Sequence, residues 1–227
     1  MDNSFILDIM NQIEKNKMMN VEQEINIYHL LNSVLLLNVP GDVVELGCHA
    51  GMTAAILQKT LDQANSKKIL HVFDSFQGLP EKTENDGKRK TKNLAATKQK
   101  FIENFKKFNL KLPEMHEGWF KDTLKELPKQ ICFAHLDSDC YSSIKESLEN
   151  VYPRLSKNAV AVVDDYHDEK IHPKIQQEFS KFIGHNGKIY DMFPGVKKAC
   201  DEFFRDKKEK MFVLVAGYER HAYFRKE

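Results

Sequence analysis

Two short segments put carboxylates where buried strands should finish: HLDSDCY, residues 135–141, and VVDDY, residues 162–166. Asp137 and Asp139 close the apolar run Gln130–Leu136, while Asp164 and Asp165 follow the run Ala159–Val163 directly. Between them Ser142–Tyr152 carries a helical pattern closed by Pro153, so the two runs read as strands of one β-α-β unit. Adjacent strands lie about 4.8 Å apart, which would bring Asp137 and Asp164 to one rim, and Asp139 shares a side with Asp137. Carboxylates gathered in this way repel one another and bind protons more tightly unless a cation sits among them. A hard divalent ion such as Mg²⁺ meets that need, because it takes oxygen ligands and keeps waters for a substrate to replace. An isolated D-x-D also serves glycosyltransferases that hold Mn²⁺ and a nucleotide sugar, and an isolated Asp pair is also a solvated turn or a helix cap. Two acidic pairs at successive strand ends favour the metal.

A second constellation lies upstream in VVELGCHAGMT, residues 43–53. Glu45 stands at the end of a short buried strand, and Gly47 and Gly51 occupy the turn into a helix over Thr53–Ala64, where they allow a ligand close to the backbone. The next strand, Ile69–Phe73, runs into DSFQGLP, with Asp74 available to ribose hydroxyls. A dinucleotide site uses G-x-G-x-x-G to seat a pyrophosphate on a helix N-terminus. Here the spacing is G-x-x-x-G, with His49 inside it and Glu45 close by. A ligand with a positive centre and no phosphate suits that loop better, which favours S-adenosylmethionine over a nicotinamide dinucleotide. Cys48 and His49 are neighbours in sequence, which is not the spatial pairing of a thiol nucleophile. His135 reads as a satisfied histidine inside a buried strand.

These residues need a scaffold, and strands alternating with helices predict an α/β fold with a mainly parallel sheet, helices on both faces and ligands at the carboxyl ends of the strands. Helical spacing at Phe5, Ile6, Ile9, Met10 and Ile13, and again over Ile25–Leu37, predicts a helical extension over residues 1–40, ahead of a single domain over 41–227. Pro80–Thr91 reads as a long mobile loop before a helix over Leu94–Phe108, and Lys88, Arg89, Lys90 and Lys92 as its solvated charges or as a lid over an anionic acceptor. Further helices are expected over Lys174–Phe182 and Lys197–Phe204, and Met211–Ala216 and His221–Arg225 as a final antiparallel pair. The apolar N-terminal helices could serve a homo-oligomeric interface as well as a lid.

The 227 residues are 41% hydrophobic, enough for a real core, and their formal charge of +1 gives no footprint for nucleic acid or an anionic membrane. The first residues do not read as a signal peptide and no span has membrane-helix length, so a soluble, cytoplasmic protein is expected. Four cysteines with no C-x-x-C pair suit free thiols in a reducing compartment.

In order, ELGCHAGMTA, VFDSFQGLP, EGWFKDTL, HLDSDCYSS, YPRLS, VVDDY and GVKKACDEFF resemble the macrocin O-methyltransferase family, over roughly Gly41 to Phe204. The resemblance implies a Rossmann-like class I methyltransferase with a seven-stranded sheet, S-adenosylmethionine and Mg²⁺ as cofactors, and a hydroxyl acceptor on a sugar or related small molecule. It implies that Asp137, Asp164 and Asp165 hold the metal, that Glu45, Gly47, Gly51 and Thr53 surround the methionine part of the cofactor, Asp74 and Ser75 the ribose, and Gly118, Trp119 and Phe120 the adenine. Asp137, Asp139 and then His167 are the candidate bases for the hydroxyl proton. The stretch from His167 to Pro194 departs from the family pattern, which joins the D-D-Y segment to the following helix by a short connection. Two other readings stand beside this one: a D-x-D glycosyltransferase, and a methyltransferase-fold binding protein without turnover.

Overall fold

The computed structural model describes residues 19–87, 94–174, 177–178, 191–217 and 219–227. The expected helix at Phe5–Ile13, the basic residues 88–92 and most of the expected helix Lys174–Phe182 lie outside the described residues.

Helix α1 (Val21–Leu36) opens on a capping box, in which the Asn20 side chain accepts from the Gln23 backbone N–H and the Gln23 side chain accepts from that of Asn20. Strand β1 (Asp42–Leu46) leads through the glycine turn into α2 (Met52–Gln63), and β2 (Leu70–Asp74) follows. Helix α3 (Lys98–Lys107), capped by Thr97, buries Phe101 and Phe105. Then come edge strand β3 (Glu114–Glu117), a short helix α4 (Phe120–Thr123), β4 (Ile131–Leu136) and α5 (Tyr141–Val151). Strand β5 (Leu155–Asp164), α6 (Pro194–Phe204), β6 (Phe212–Leu214) and β7 (His221–Arg225) complete the described elements.

The seven strands form one sheet in the order β3-β2-β1-β4-β5-β7-β6. Neighbours from β3 to β5 pair parallel, while β7 pairs antiparallel with both β5 and β6. The connection β1-α2-β2 moves one way along the sheet and β4-α5-β5 the other, so right-handed crossovers put α2 and α5 on opposite faces. The order reverses at β1, and a crevice opens there between the carboxyl ends of β1 and β4. Central β4 is buried along its whole length, as a strand covered on both faces must be.

Strand β3 is absent from the sequence expectations because EMHE, at an edge, carries no apolar alternation and is half-buried at most. Strand β5 is longer than its apolar run, beginning at Leu155 and crossing a register shift before Val160. The expected antiparallel pair forms, though β6 is only Phe212–Leu214. Pro80–Asp86 is also more ordered than a solvated loop. The Asp86 carboxylate accepts from Thr83 N–H at 2.7 Å and Thr83 hydroxyl at 2.9 Å, and from Tyr141 N–H at 2.7 Å. Helix α5 has no side-chain cap of its own, so Asp86 supplies one from across the fold.

Candidate active site

The glycine turn and the aspartates form one construction. Gly47 takes φ +86°, and a Cβ there would lie 1.8 Å from the carbonyl oxygen of Asp137. Asp137 N–H donates to Leu46 O at 2.9 Å and Gly47 N–H to Phe73 O at 2.8 Å, so the exits of β2, β1 and β4 are stitched side by side. Asp74 organises the next part of the turn: Oδ2 accepts from Cys48 N–H at 2.9 Å and His49 N–H at 2.8 Å, and Oδ1 accepts from Phe76 N–H at 2.7 Å. The turn is tight enough that His49 and Phe76 hold positive φ angles, 44° and 53°.

A cleft of about 550 Å³ opens over these turns. Its lining includes Asp74, Ser75, Gly118, Trp119 and Phe120, with Ser142 and Ser143 from the start of α5. Gly47, His49 and Asp137 line it as well. Asp139, Asp164 and Asp165 line the cleft with Gln23 from α1, Glu219 before β7, and Met192 and Phe193 before α6. Leu79, Pro80, Glu81 and Leu94 add a further wall.

The structure brings the four aspartates together in two overlapping groups. Ligand atoms of Asp137, Asp139 and Asp165 lie within 4.8 Å of one another, and so do those of His135, Asp137 and Asp164. Asp164 and Asp165, adjacent at the strand exit, thus fall into different groups that share Asp137. Asp139 and Asp165 both adopt left-handed backbone, at φ 59° and 56°, a strain of roughly 1–2 kcal/mol per residue that Asp tolerates better than most. Burial first, then the charges of Asp164, Asp139, Asp165 and Glu45, hold the Asp137 carboxyl well above the usual carboxylate range. Asp165 is raised by burial first, then by Asp164 and Asp139. Such a set fits a divalent cation on the chemistry of its donors, because a positive charge among them offsets both the burial and the mutual repulsion that raise these groups.

One neighbour orients Asp164 and another lies within its field. Gln23 Nε2 donates to Asp164 Oδ1 at 2.8 Å, and its Oε1 is taken up by Asn20 N–H at 3.0 Å, which fixes which way the amide faces. Glu219 is raised by burial and then by Asp164. Neither residue shows in the sequence as functional. Gln23 looks like an ordinary capping-box residue, and only the docking of α1 carries it to a strand end 141 positions away.

Other expected residues sit apart from the cleft. Glu45 is 1% exposed, with Oε1 3.2 Å from His135 Nδ1, and it lies beneath the cleft wall. Gly51 caps α2 in a left-handed conformation and packs on Phe101, while the Thr53 hydroxyl donates to Met19 Sδ at 2.8 Å. His167 is buried outside the cleft lining: its Nδ1 accepts from Arg220 Nε at 3.1 Å, and its ring stacks on His172. Of the three expected bases, Asp137 and Asp139 line the cleft. His49, set aside with Cys48 on sequence, does line the cleft, with its imidazole pKa lowered by burial.

Strand order and the position of the crevice on either side of β1 together define a class I methyltransferase fold. The chain belongs to the macrocin-O-methyltransferase (TylF) family, whose sequence model matches residues 12–205. Demethyldecarbamoylnovobiocin O-methyltransferase of Streptomyces niveus is 33% identical over 162 residues, which cover 66% of this chain and 62% of that protein. 8-demethyl-8-(2,3-dimethoxy-alpha-L-rhamnosyl)-tetracenomycin-C 4'-O-methyltransferase of Streptomyces olivaceus is 31% identical over 153 residues, covering 62% of this chain and 59% of that protein. The matched stretch thus spans about three fifths of the length of these curated relatives. The solved structure of the O-methyltransferase NovP superposes with a TM-score of 0.72 at 25% identity, covering 91% of this chain and 80% of that one.

Proposed function

We propose that this protein transfers the methyl group of S-adenosylmethionine to a hydroxyl of a sugar or similarly polyhydroxylated small molecule, with a divalent cation such as Mg²⁺ among the acidic residues of the cleft. The observation that carries the reading is the junction at Gly47, where the turn after β1 and the acidic exit of β4 share one wall of one cleft. Family membership favours methyl transfer over glycosyl transfer by a D-x-D motif. The printed names of relatives, one of them acting on a rhamnosyl-bearing compound, support a glycosylated acceptor. Among the described residues no helix is long and apolar enough to cross a membrane. Four free, buried cysteines suit a reducing, cytoplasmic setting.

When bound, S-adenosylmethionine supplies an activated methyl on a sulfonium. The protein's task is then to align donor and acceptor for in-line displacement at near-attack distance. Trp119 and Phe120 offer apolar area for the adenine, and Ser75 and Asp74 sit where the ribose would lie; Asp74 also shapes the loop through its three backbone hydrogen bonds. When bound, a divalent cation supplies charge that lowers the pKa of an acceptor hydroxyl. Asp137, Asp139, Asp164 and Asp165 would hold it, and Asp139 or Asp137 would take the hydroxyl proton as the methyl moves. Met192, Phe193, Leu79 and Pro80 line the same cleft as the acidic groups and offer apolar area to the ring face of an acceptor.

The test is calorimetric titration of the purified protein with S-adenosylhomocysteine, with Mg²⁺ and again with EDTA, followed by an acceptor screen. Binding is expected in both, with turnover only when metal is present. In Asp137→Ala and Asp164→Ala, turnover should vanish while S-adenosylhomocysteine still binds. A protein that ignores S-adenosylhomocysteine but binds a uridine diphosphate sugar with metal would refute the reading.

A further inference from the structure

Outside the cleft lining, Asp42 of β1, His71 of β2, His116 of β3 and Glu126 form a chain of titratable side chains that the proposed reaction does not use. Register pairs His71 with Glu114, and residues two apart on a strand share a side, so His116 meets His71 on one face of the sheet. His71 Nδ1 and His116 Nε2 lie 3.2 Å apart. The ring centroids are 5.5 Å apart and the planes differ by 20°, so at that nitrogen distance the rings meet end-on, nitrogen pointing at nitrogen, rather than face to face. At the outer ends, His116 Nδ1 is 2.7 Å from Glu126 Oε2 and His71 Nε2 is 3.8 Å from Asp42 Oδ2. The His116 ring also stacks on buried Phe73, with centroids 4.2 Å apart.

This geometry limits how many protons the chain can carry. A carboxylate only accepts, so His116 Nδ1 bears a proton toward Glu126, and two nitrogens that meet end-on need one proton between them. In the neutral pair that proton belongs to His71 Nδ1, which leaves His71 Nε2 a bare acceptor. It is buried with no hydrogen-bond partner among the described residues, and the Asp42 carboxylate beside it is an acceptor too. One added proton reverses the chain: His116 Nε2 donates to His71 Nδ1, and His71 Nε2–H faces Asp42. A second added proton would set two N–H groups head to head.

The charged and titratable groups facing the pair are Asp42 from β1, Glu114 from β3 and Glu126 from the turn Leu124–Glu126. Asp42 is anchored by Ile69 N–H, which donates to its Oδ1 at 2.9 Å. Beyond it, Lys68 Nζ donates to Val39 O and Gly41 O, and burial first of all pushes the Cys132 thiol of β4 up to about 11. Burial lowers the imidazole pKa of His71, with Asp42 opposing it, so His71 is the ring that resists the second proton.

His116 stands two residues before Gly118, and Glu126 follows α4, so their contact closes the segment that carries Gly118, Trp119 and Phe120 into the cleft lining. Leu124 and Leu127 are buried and keep the turn in the core whatever this clamp does. We infer that Asp42, His71, His116 and Glu126 form a relay with room for one added proton, and that His116 within it is the positioning residue for the cofactor-side segment Gly118–Phe120. The inference rests on the adenine part of the proposed function. A second proton parts the two rings and slackens the clamp. Because the folded pKa of His71 is lowered, its contribution is full above the ordinary value, 6.5, and is lost as pH falls through the folded one.

The experiment pairs nitrogen NMR of the histidine-labelled full chain with calorimetry of S-adenosylhomocysteine between about pH 5 and about pH 8. His71→Gln and His116→Gln assign the signals. In wild type the two rings should titrate as a coupled pair, the second proton entering only below about 6.5. Affinity for S-adenosylhomocysteine should fall roughly two- to fivefold as that proton enters, and His71→Gln should escape this fall. Glu126→Gln should bind roughly two- to fivefold more weakly than wild type at the upper end of the range. Two rings that titrate independently at the ordinary imidazole value would overturn the relay and leave the proposed cofactor standing. An acid fall that persists unchanged in His71→Gln, or a Glu126→Gln protein that binds as wild type does at every pH, would overturn the positioning role. Wild type that ignores S-adenosylhomocysteine throughout would overturn the cofactor reading and the positioning role with it. Should the histidine variants fail to fold, Glu126→Gln, at a side chain 52% exposed, decides.

Discussion

Replacing Gly47 by alanine tests whether the glycine turn exists for a ligand or for the exit of β4. At φ +86° an added Cβ would stand 1.8 Å from the Asp137 carbonyl oxygen and 2.8 Å from its carbonyl carbon. The β4 exit must therefore retreat by about 1 Å, since Cβ contacts below 3.0 Å are essentially never tolerated. Retreat pulls on the Asp137 N–H bond to Leu46 O, a net contribution of roughly 0.5–1.5 kcal/mol. The left-handed backbone adds roughly 1–2 kcal/mol for a residue with a side chain. Together these effects destabilise by about 2–3 kcal/mol, which in a domain of this size lowers the melting temperature by roughly 4–12 °C. The same displacement carries Asp137 off its position, and a misplacement of about 1 Å can cost on the order of 10²-fold in rate. Gly47→Ala should therefore melt lower and bind Mn²⁺ more weakly, and lose turnover once an acceptor is in hand. Calorimetry with Mn²⁺ and thermal melts read the first two. A variant that melts lower yet binds Mn²⁺ as wild type does would refute the coupling of turn and aspartates, and an unchanged melting temperature would refute the steric argument.

Three further outcomes are expected. Gln23→Leu removes a charge-assisted hydrogen bond to Asp164, so Mn²⁺ affinity should fall by roughly 10–100-fold while S-adenosylhomocysteine affinity, by calorimetry, stays the same. Asp74→Ala strands the N–H groups of Cys48, His49 and Phe76, and S-adenosylhomocysteine affinity should fall by at least about tenfold. Glu209 is 3% exposed at its side chain; burial raises its pKa, but Lys226 and the Tyr152 hydroxyl outweigh that and hold it at about 2. A carboxyl with a lowered folded pKa stabilises fully above its unfolded value, near 4.5, and loses that contribution as pH falls toward about 2. Acid unfolding of Glu209→Gln should therefore show a shallower loss of stability across that window than wild type does.

Much of this architecture is legible in the residues. Strand-helix alternation predicts β1, β2 and β4 close to their observed bounds, and the carboxyl end of β5 though not its start, because parallel strands buried on both faces must be short apolar runs and their ends must turn polar. The same logic places Asp137, Asp139, Asp164 and Asp165 at one rim, since adjacent strands leave little freedom in where their ends fall. Edge strand β3 carries no such pattern, because an edge has no second neighbour to demand it.

Tertiary structure alone decided the rest, wherever a residue's role depends on a partner far along the chain. Gly47 reads as a turn glycine that lets a ligand near the backbone, but the atom that forbids a side chain belongs to Asp137, 90 residues later. Gln23 reads as half of a capping box until α1 docks on β5, and Asp86 as a loop acid until it caps α5. His135 reads as a satisfied interior histidine, but the packing leaves Nδ1 facing Glu45 and Nε2 with no hydrogen-bond partner among the described residues. Local pattern fixes where strands end because burial acts residue by residue, whereas the contacts that turn those ends into a site depend on packing between elements that local pattern does not encode.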